Sequence, residues 1–287
     1  MGAIPDDYLE RVYAGVLGKI IDRLGPIHYY VHEKFGLPCV VIDDDISGTF
    51  TFVRALEEHG LDISPADVGK TWLNNVIEKR NVFWWGGNGI STEHTAYLNL
   101  KKKGIPAPES GSIKVNGLTV AEQIGAQIFI DGFGLIAPGN AGLAARLATA
   151  AARVSHDGEA VHAAVLWAAM EAEAFVSKDV DHLLDTGLSF VPSGCAIARL
   201  ITEIRSWTKQ DNDWHKTRQK IDDYHGYHKY SGICHVMPNH GIMIMALLYG
   251  GHDFDLAMHI INTSGWDTDC NSGNLGCLVG IMLGLDG

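Results

Sequence analysis

Two stretches constrain the fold most: NAGLAARLATAAARV at 140–154 and EAVHAAVLWAAMEAEAFV at 159–176. Alanine, leucine and glutamate dominate both, and these residues lose least on entering a helix. A third stretch, SGTFTFVRALEEHG at 47–60, places Phe50, Val53 and Leu56 at helical spacing and ends in Gly60. Ser193 and Asn212 are expected to cap the next two helices. The segment NSGNLGCLVGIMLG at 271–284 predicts a last helix whose Gly273, Gly276, Gly280 and Gly284 imply close backbone contact. Alternating strand patterns are scarce, and PCVVI at 38–42 is the clearest short apolar run of strand type. The expectation is one mostly α-helical domain over residues 1–287.

Bulk properties narrow the function. Of 287 residues, 46 % are hydrophobic and 20 % charged, a globular balance rather than a disordered one. A net charge of -12 gives no direct affinity for nucleic acid or for an anionic membrane, and a phosphate-bearing substrate would need cations at an acidic site. The longest uncharged stretch, GIMIMALLYGG at 241–251, is too short to span a bilayer. Five cysteines without CxxC spacing argue against a disulfide framework or a structural zinc site. With no signal-type apolar run at the N-terminus, a reduced cytoplasm is the expected location.

Two acidic constellations stand out. Asp43, Asp44 and Asp45 sit in DDDIS, and Asp267 and Asp269 sit in GWDTDCNSGNLG at 265–276, each at a predicted helix start. One aspartate there would serve as a cap, contributing roughly 0.3–1 kcal/mol. Five exceed that need, and close carboxylates raise one another's pKa unless a cation lies between them. Hard divalent cations take such oxygen ligands. Capping and metal binding both stay open on the residues alone. A DDxxD prenyl-phosphate site fails on spacing, because Ser47 and Gly48 stand where the last aspartate should be. The doublet His156-Asp157 is a weak signal for an HD-type phosphohydrolase, and no GxxxxGK[ST] loop occurs.

The chain resembles the ADP-ribosylglycohydrolases, in the group related to the dinitrogenase-reductase-activating enzyme. GWDTDCNSGNLGCLVGIMLG is similar to the family's GxDTDxNxxxxG segment, and DDDIS to the three-aspartate form of its first acidic motif. YAGVLGKIIDRLGPI at 13–27, IGAQIFIDGFGLIAPGN at 124–140 and SHDGEAVHAAVLWAAMEAEAF at 155–175 resemble its other segments. The resemblance implies an all-α orthogonal multi-helix bundle with a central metal-binding cleft. It implies two divalent cations, Mg²⁺ first and Mn²⁺ second, held by Asp43, Asp44, Asp45, Asp267 and Asp269. It also implies cleavage of the glycosidic bond at the anomeric carbon of an ADP-ribosyl group on a protein or small molecule. Asp44, Asp131 and Asp269 are the catalytic candidates. Asp22, His156, Trp266, Asn271 and Asn239 are the substrate-binding ones. The chain departs from the family at Cys270, where threonine is usual, and at IGAQIF, which lacks the usual arginine. Two alternatives stand beside this reading: a hydrolase of a smaller riboside or nucleoside, and an inactive, crystallin-like protein that keeps the fold.

For several candidates a bland role competes. Asp131 is read as a general base or hydroxyl acceptor, or as a helix-end carboxylate. His156 bonds the substrate or caps a helix, and Trp266 stacks on the substrate or packs in the core. Asn271 bonds the substrate or caps the last helix, and Asn239 lines a cleft wall or caps a helix. FWWGGN at 83–88 closes over a base or packs as a surface loop, and HGYHKY at 225–230 reads as a solvated segment.

Overall fold

The structure, a computed structural model, describes residues 4–21, 44–80 and 82–285. Asp22, Asp43 and the PCVVI run lie outside these residues. Among them the elements are helices, with one isolated bridge between Gln123 and His235 and no strand. The expected all-α fold is the one observed.

Three helices form the centre. Glu159–Ala174, Val236–Gly250 and Thr268–Leu283 are buried over most of their surface. A helix that is apolar on every side needs partners on every side, which is why these three sit inside the others. Ala141–Ala152 lies against Glu159–Ala174. None of the helices among the described residues is long and apolar enough to cross a membrane.

The first helix, Tyr8–Ile21, packs most extensively against the last one. At the crossing, a Cβ on Gly18 would overlap the carbonyl of Gly276, and a Cβ on Gly276 would overlap that of Gly18. The glycine run therefore permits a backbone-to-backbone contact, as its spacing predicted.

Local expectations shift by a residue or two. The caps of Ala196–Gln210 and Trp214–His225 are Cys195 and Asp213, not Ser193 and Asn212. In each case the nearer side chain accepts a backbone N–H of the first turn. The 47–60 helix starts earlier, at Asp44, and breaks after Phe52 before Ala55–His59. Gly60 ends it at φ +77°. The last helix starts at Thr268, three residues before the expected start.

Candidate active site

The site is assembled from two helix N-termini. Asp44 and Asp45 occupy the first turn of Asp44–Phe52, while Asp267 is the N-cap of Thr268–Leu283 with Asp269 in its first turn. Both termini open on one cavity of about 260 Å³, lined by Asp44, Asp45, Asp267, Asp269, Cys270 and Glu93 on its polar side. Trp84, Ile124, Gly125, Ile128, Phe129, Ile233 and Cys234 complete the wall. Sequence segments more than two hundred residues apart thus share one pocket.

Asp267 does not behave as a cap. Asp179, Asp213 and Asp253, at other helix starts, each accept a backbone N–H from the first turn. Asp267 makes no such bond. Its carboxylate instead lies with those of Asp269 and the Cys270 thiol, their ligand atoms within 4.8 Å of one another. Across the motifs, the Cys270 thiol is 3.7 Å from Asp45 Oδ1.

So many buried carboxylates disturb one another. Burial raises the pKa of Asp45, with Asp44 and Asp269 adding to it and Lys19 opposing. Burial and then Asp269 push Asp267 up to about 7. Glu93 also reaches about 7, chiefly through burial, with Asp44 contributing. A divalent cation would offset this mutual repulsion, and carboxylate oxygens are the ligands such an ion takes, so the described residues fit the metal site expected of them.

A supporting shell fixes the second motif. Trp266 stands at φ +65°, and its ring lies under the Arg218 guanidinium at 3.9 Å and edge-on to Tyr227 at 5.6 Å. Asn239, fully buried, accepts from the Asp267 N–H at 3.2 Å and from Asn271 Nδ2 at 3.0 Å. Its own amide donates to Tyr227 Oη at 2.7 Å and to the His235 carbonyl at 2.9 Å. Trp266, Asn239 and Asn271 therefore stand behind the carboxylates rather than on the cavity wall. Asn239 is not a helix cap; that position belongs to His235. Tyr227, from the segment expected to be solvated, is part of this shell.

Glu93 was missed by sequence reasoning. It follows the capping Ser91 of Thr92–Lys101, where an acidic residue reads as a complement to the helix dipole. Its carboxylate accepts from Ser91 Oγ at 3.2 Å and lies 3.7 Å from His156 Nε2. A Cβ on Gly125 would collide with Glu93 Oε1, so glycine there leaves room for the carboxylate. His156 sits behind Glu93, its Nδ1 2.7 Å from Ser155 Oγ, and burial pushes its imidazole down to about 3. It is a neutral ring that backs Glu93, placed one layer away from the expected substrate contact.

Asp131 lies apart from the cavity that the other aspartates share. It is fully buried and away from the cavity lining. Lys19 Nζ lies 2.7 Å from its Oδ2, and Asn274 Nδ2 donates to its Oδ1 at 2.6 Å. In this position the carboxylate forms an ion pair of the core with a buried lysine.

The family model for ADP-ribosylglycohydrolase matches residues 4–287. The chain belongs to the ADP-ribosylglycohydrolase family. A solved structure titled ADP-ribosylglycohydrolase-related protein complex superposes with a TM-score of 0.63 at 18 % identity. The match covers 98 % of this chain and 88 % of that one, which shows a shared fold. No match is found among the curated proteins. Family membership supports a glycosidase-type hydrolase acting on ADP-ribose-type substrates, in a family that generally depends on divalent metals.

Proposed function

We propose that this ADP-ribosylglycohydrolase-family protein, a single domain, is a metal-dependent hydrolase that cleaves the glycosidic bond at the anomeric carbon of an ADP-ribosyl group. The observation that carries the reading is the meeting of both acidic motifs in one cavity. Asp44, Asp45, Asp267 and Asp269, with Asp43 from the segment outside the described residues, would hold two divalent cations. Bound there, the cations would supply positive charge for the vicinal ribose hydroxyls, the attacking water and a pyrophosphate.

The chain's own groups divide the proton work. Glycosidic cleavage passes through an oxocarbenium-like state and needs one carboxyl to give a proton and one to take one. Asp44 and Asp269 line the wall from which a water would lose its proton. Glu93, poised at about 7 by burial, can donate to the leaving group. Trp84, half-exposed at the cavity, offers a face for a base or sugar. A reduced cytoplasm remains the proposed location.

The test is release of ribose products from ADP-ribosylated arginine, serine or nucleotide, with Mg²⁺ or Mn²⁺ added. Asp269→Asn should lose the activity. No release from any substrate, with wild type and variant alike, would sink the proposal.

A smaller riboside or nucleoside is the second reading. It is favoured by the cavity volume of about 260 Å³, below the roughly 300–1,000 Å³ usual for small-molecule sites. Thermal protection by ribose or a nucleoside, with none by ADP-ribose, would select it.

A further inference from the structure

We infer that Cys270 is a metal ligand, and that it makes one position of the acidic centre selective for a thiophilic divalent ion of the Zn²⁺ or Co²⁺ class. This rests on the metal-dependent reading above and specifies the ion.

Three observations support it. First, the Cys270 thiol forms one compact donor group with the carboxylates of Asp267 and Asp269, within 4.8 Å. Second, the same sulfur approaches Asp45 Oδ1 at 3.7 Å, so it stands at the junction of the two motifs. Third, Cys234 lines the same cavity. Its backbone is tied down on both sides, by Gln123 Oε1 on its N–H at 2.9 Å and by the Ile124 N–H on its carbonyl at 2.8 Å. Two cysteines thus line a pocket whose other polar residues are all carboxylates.

Sulfur is a poor partner for Mg²⁺, whereas a thiolate beside two carboxylates suits Zn²⁺ or Co²⁺. Binding converts the Cys270 S–H to a sulfur–metal bond and releases one proton to solvent. No oxidant or reductant is involved. Any oxygen site also prefers Zn²⁺ and Co²⁺ to some degree. The signature of a sulfur ligand is therefore the change in selectivity when sulfur is replaced by oxygen.

The experiment titrates the metal-free full-length chain with Co²⁺, and then with Zn²⁺ and Mg²⁺ in competition. Wild type should develop a near-ultraviolet thiolate-to-cobalt charge-transfer band. Cys270→Ser and Cys270→Thr should lose that band, and their Co²⁺ and Zn²⁺ affinities should fall about tenfold or more while that for Mg²⁺ holds or rises. Cys277→Ser, at a buried cysteine against Glu171, should keep the band. Circular dichroism melts check that each variant folds, and the two oxygen replacements guard against failure of one. Co²⁺ binding without a sulfur band, or an unchanged selectivity ratio in both variants, overturns the inference and leaves the metal-dependent reading standing. Failure of wild type to bind any of these ions overturns both.

Discussion

Two carboxylate clusters lie close together in this protein, and their surroundings differ. The buried one joins Asp131, Glu171 and Cys277, their ligand atoms within 4.8 Å of one another. Lys19 sits inside it, 2.7 Å from Asp131, with its ammonium donating also to the Ile128 carbonyl at 3.0 Å. Glu171 has its pKa raised by burial and by Asp131, so it is held as the neutral acid. The other cluster, Asp267, Asp269 and Cys270, also joins two carboxylates to a thiol and lines a cavity. The difference among the described residues is the lysine. The inner cluster holds Lys19 and is a piece of the core, whereas the outer one lines a cavity.

Four outcomes would sharpen or break this contrast. The largest effect is expected at Lys19. Lys19→Met leaves buried acids without a counter-charge, and denaturant unfolding should show a loss of about 3–5 kcal/mol. A loss under 1 kcal/mol would mean that the lysine is not the element that balances the inner cluster.

The second outcome pairs two glutamates. Glu93→Gln should reduce kcat about hundredfold or more while divalent-ion affinity, read by calorimetry, stays within a fewfold. Glu171→Gln should preserve activity and folding, because the native side chain is already neutral. Equal kinetic damage from both would erase the distinction between the reactive cavity and the inner cluster.

The third is a pH effect. Asp267 has its pKa raised to about 7 from 3.8, so the metal-free fold favours its protonated form. That contribution is fully present below about pH 4 and is lost as pH rises towards 7. Asp267→Asn does not titrate at this position. Without metal, the variant should therefore gain on wild type across this window, by up to about 4 kcal/mol. Saturating divalent ion should reverse the sign, since only wild type offers the ligand. A difference between the two that does not vary with pH would count against the account.

The smallest effect is expected in the shell. Asn239→Ala removes the acceptor that holds the Asp267 N–H, and metal affinity should drop about tenfold, with a stability loss of about 1–3 kcal/mol from the buried donors left unpaired. Undiminished affinity would mean that the second motif holds its shape alone.

Most of the fold was legible in the sequence because helix propensity and apolar period act locally. The Ala-rich segments needed no knowledge of their neighbours. The caps slipped by one or two residues, because Ser193 competed with Cys195 and Asn212 with Asp213 over a few positions. The two aspartate motifs were legible as well, since clustered charge beside apolar residues is conspicuous at any distance. What was hidden depended on pairing. Asp131 looks like a free carboxylate until Lys19, more than a hundred residues earlier, is placed beside it. Glu93 looks like an ordinary first-turn acid until Gly125 opens the space that its carboxylate occupies. Trp266 suggests a stacking platform, yet its positive φ and the Arg218 guanidinium over its ring turn it into a support for Asp267.

The contact between Gly18 and Gly276 also has a temporal side. During translation, the first helix must wait for its partner until some two hundred and fifty further residues have been made. Asp267 and Asp269 emerge from the ribosome in that same late stretch. The cavity that the two aspartate motifs share therefore stays incomplete until the helix that begins at Thr268 has been made and has docked against the first one.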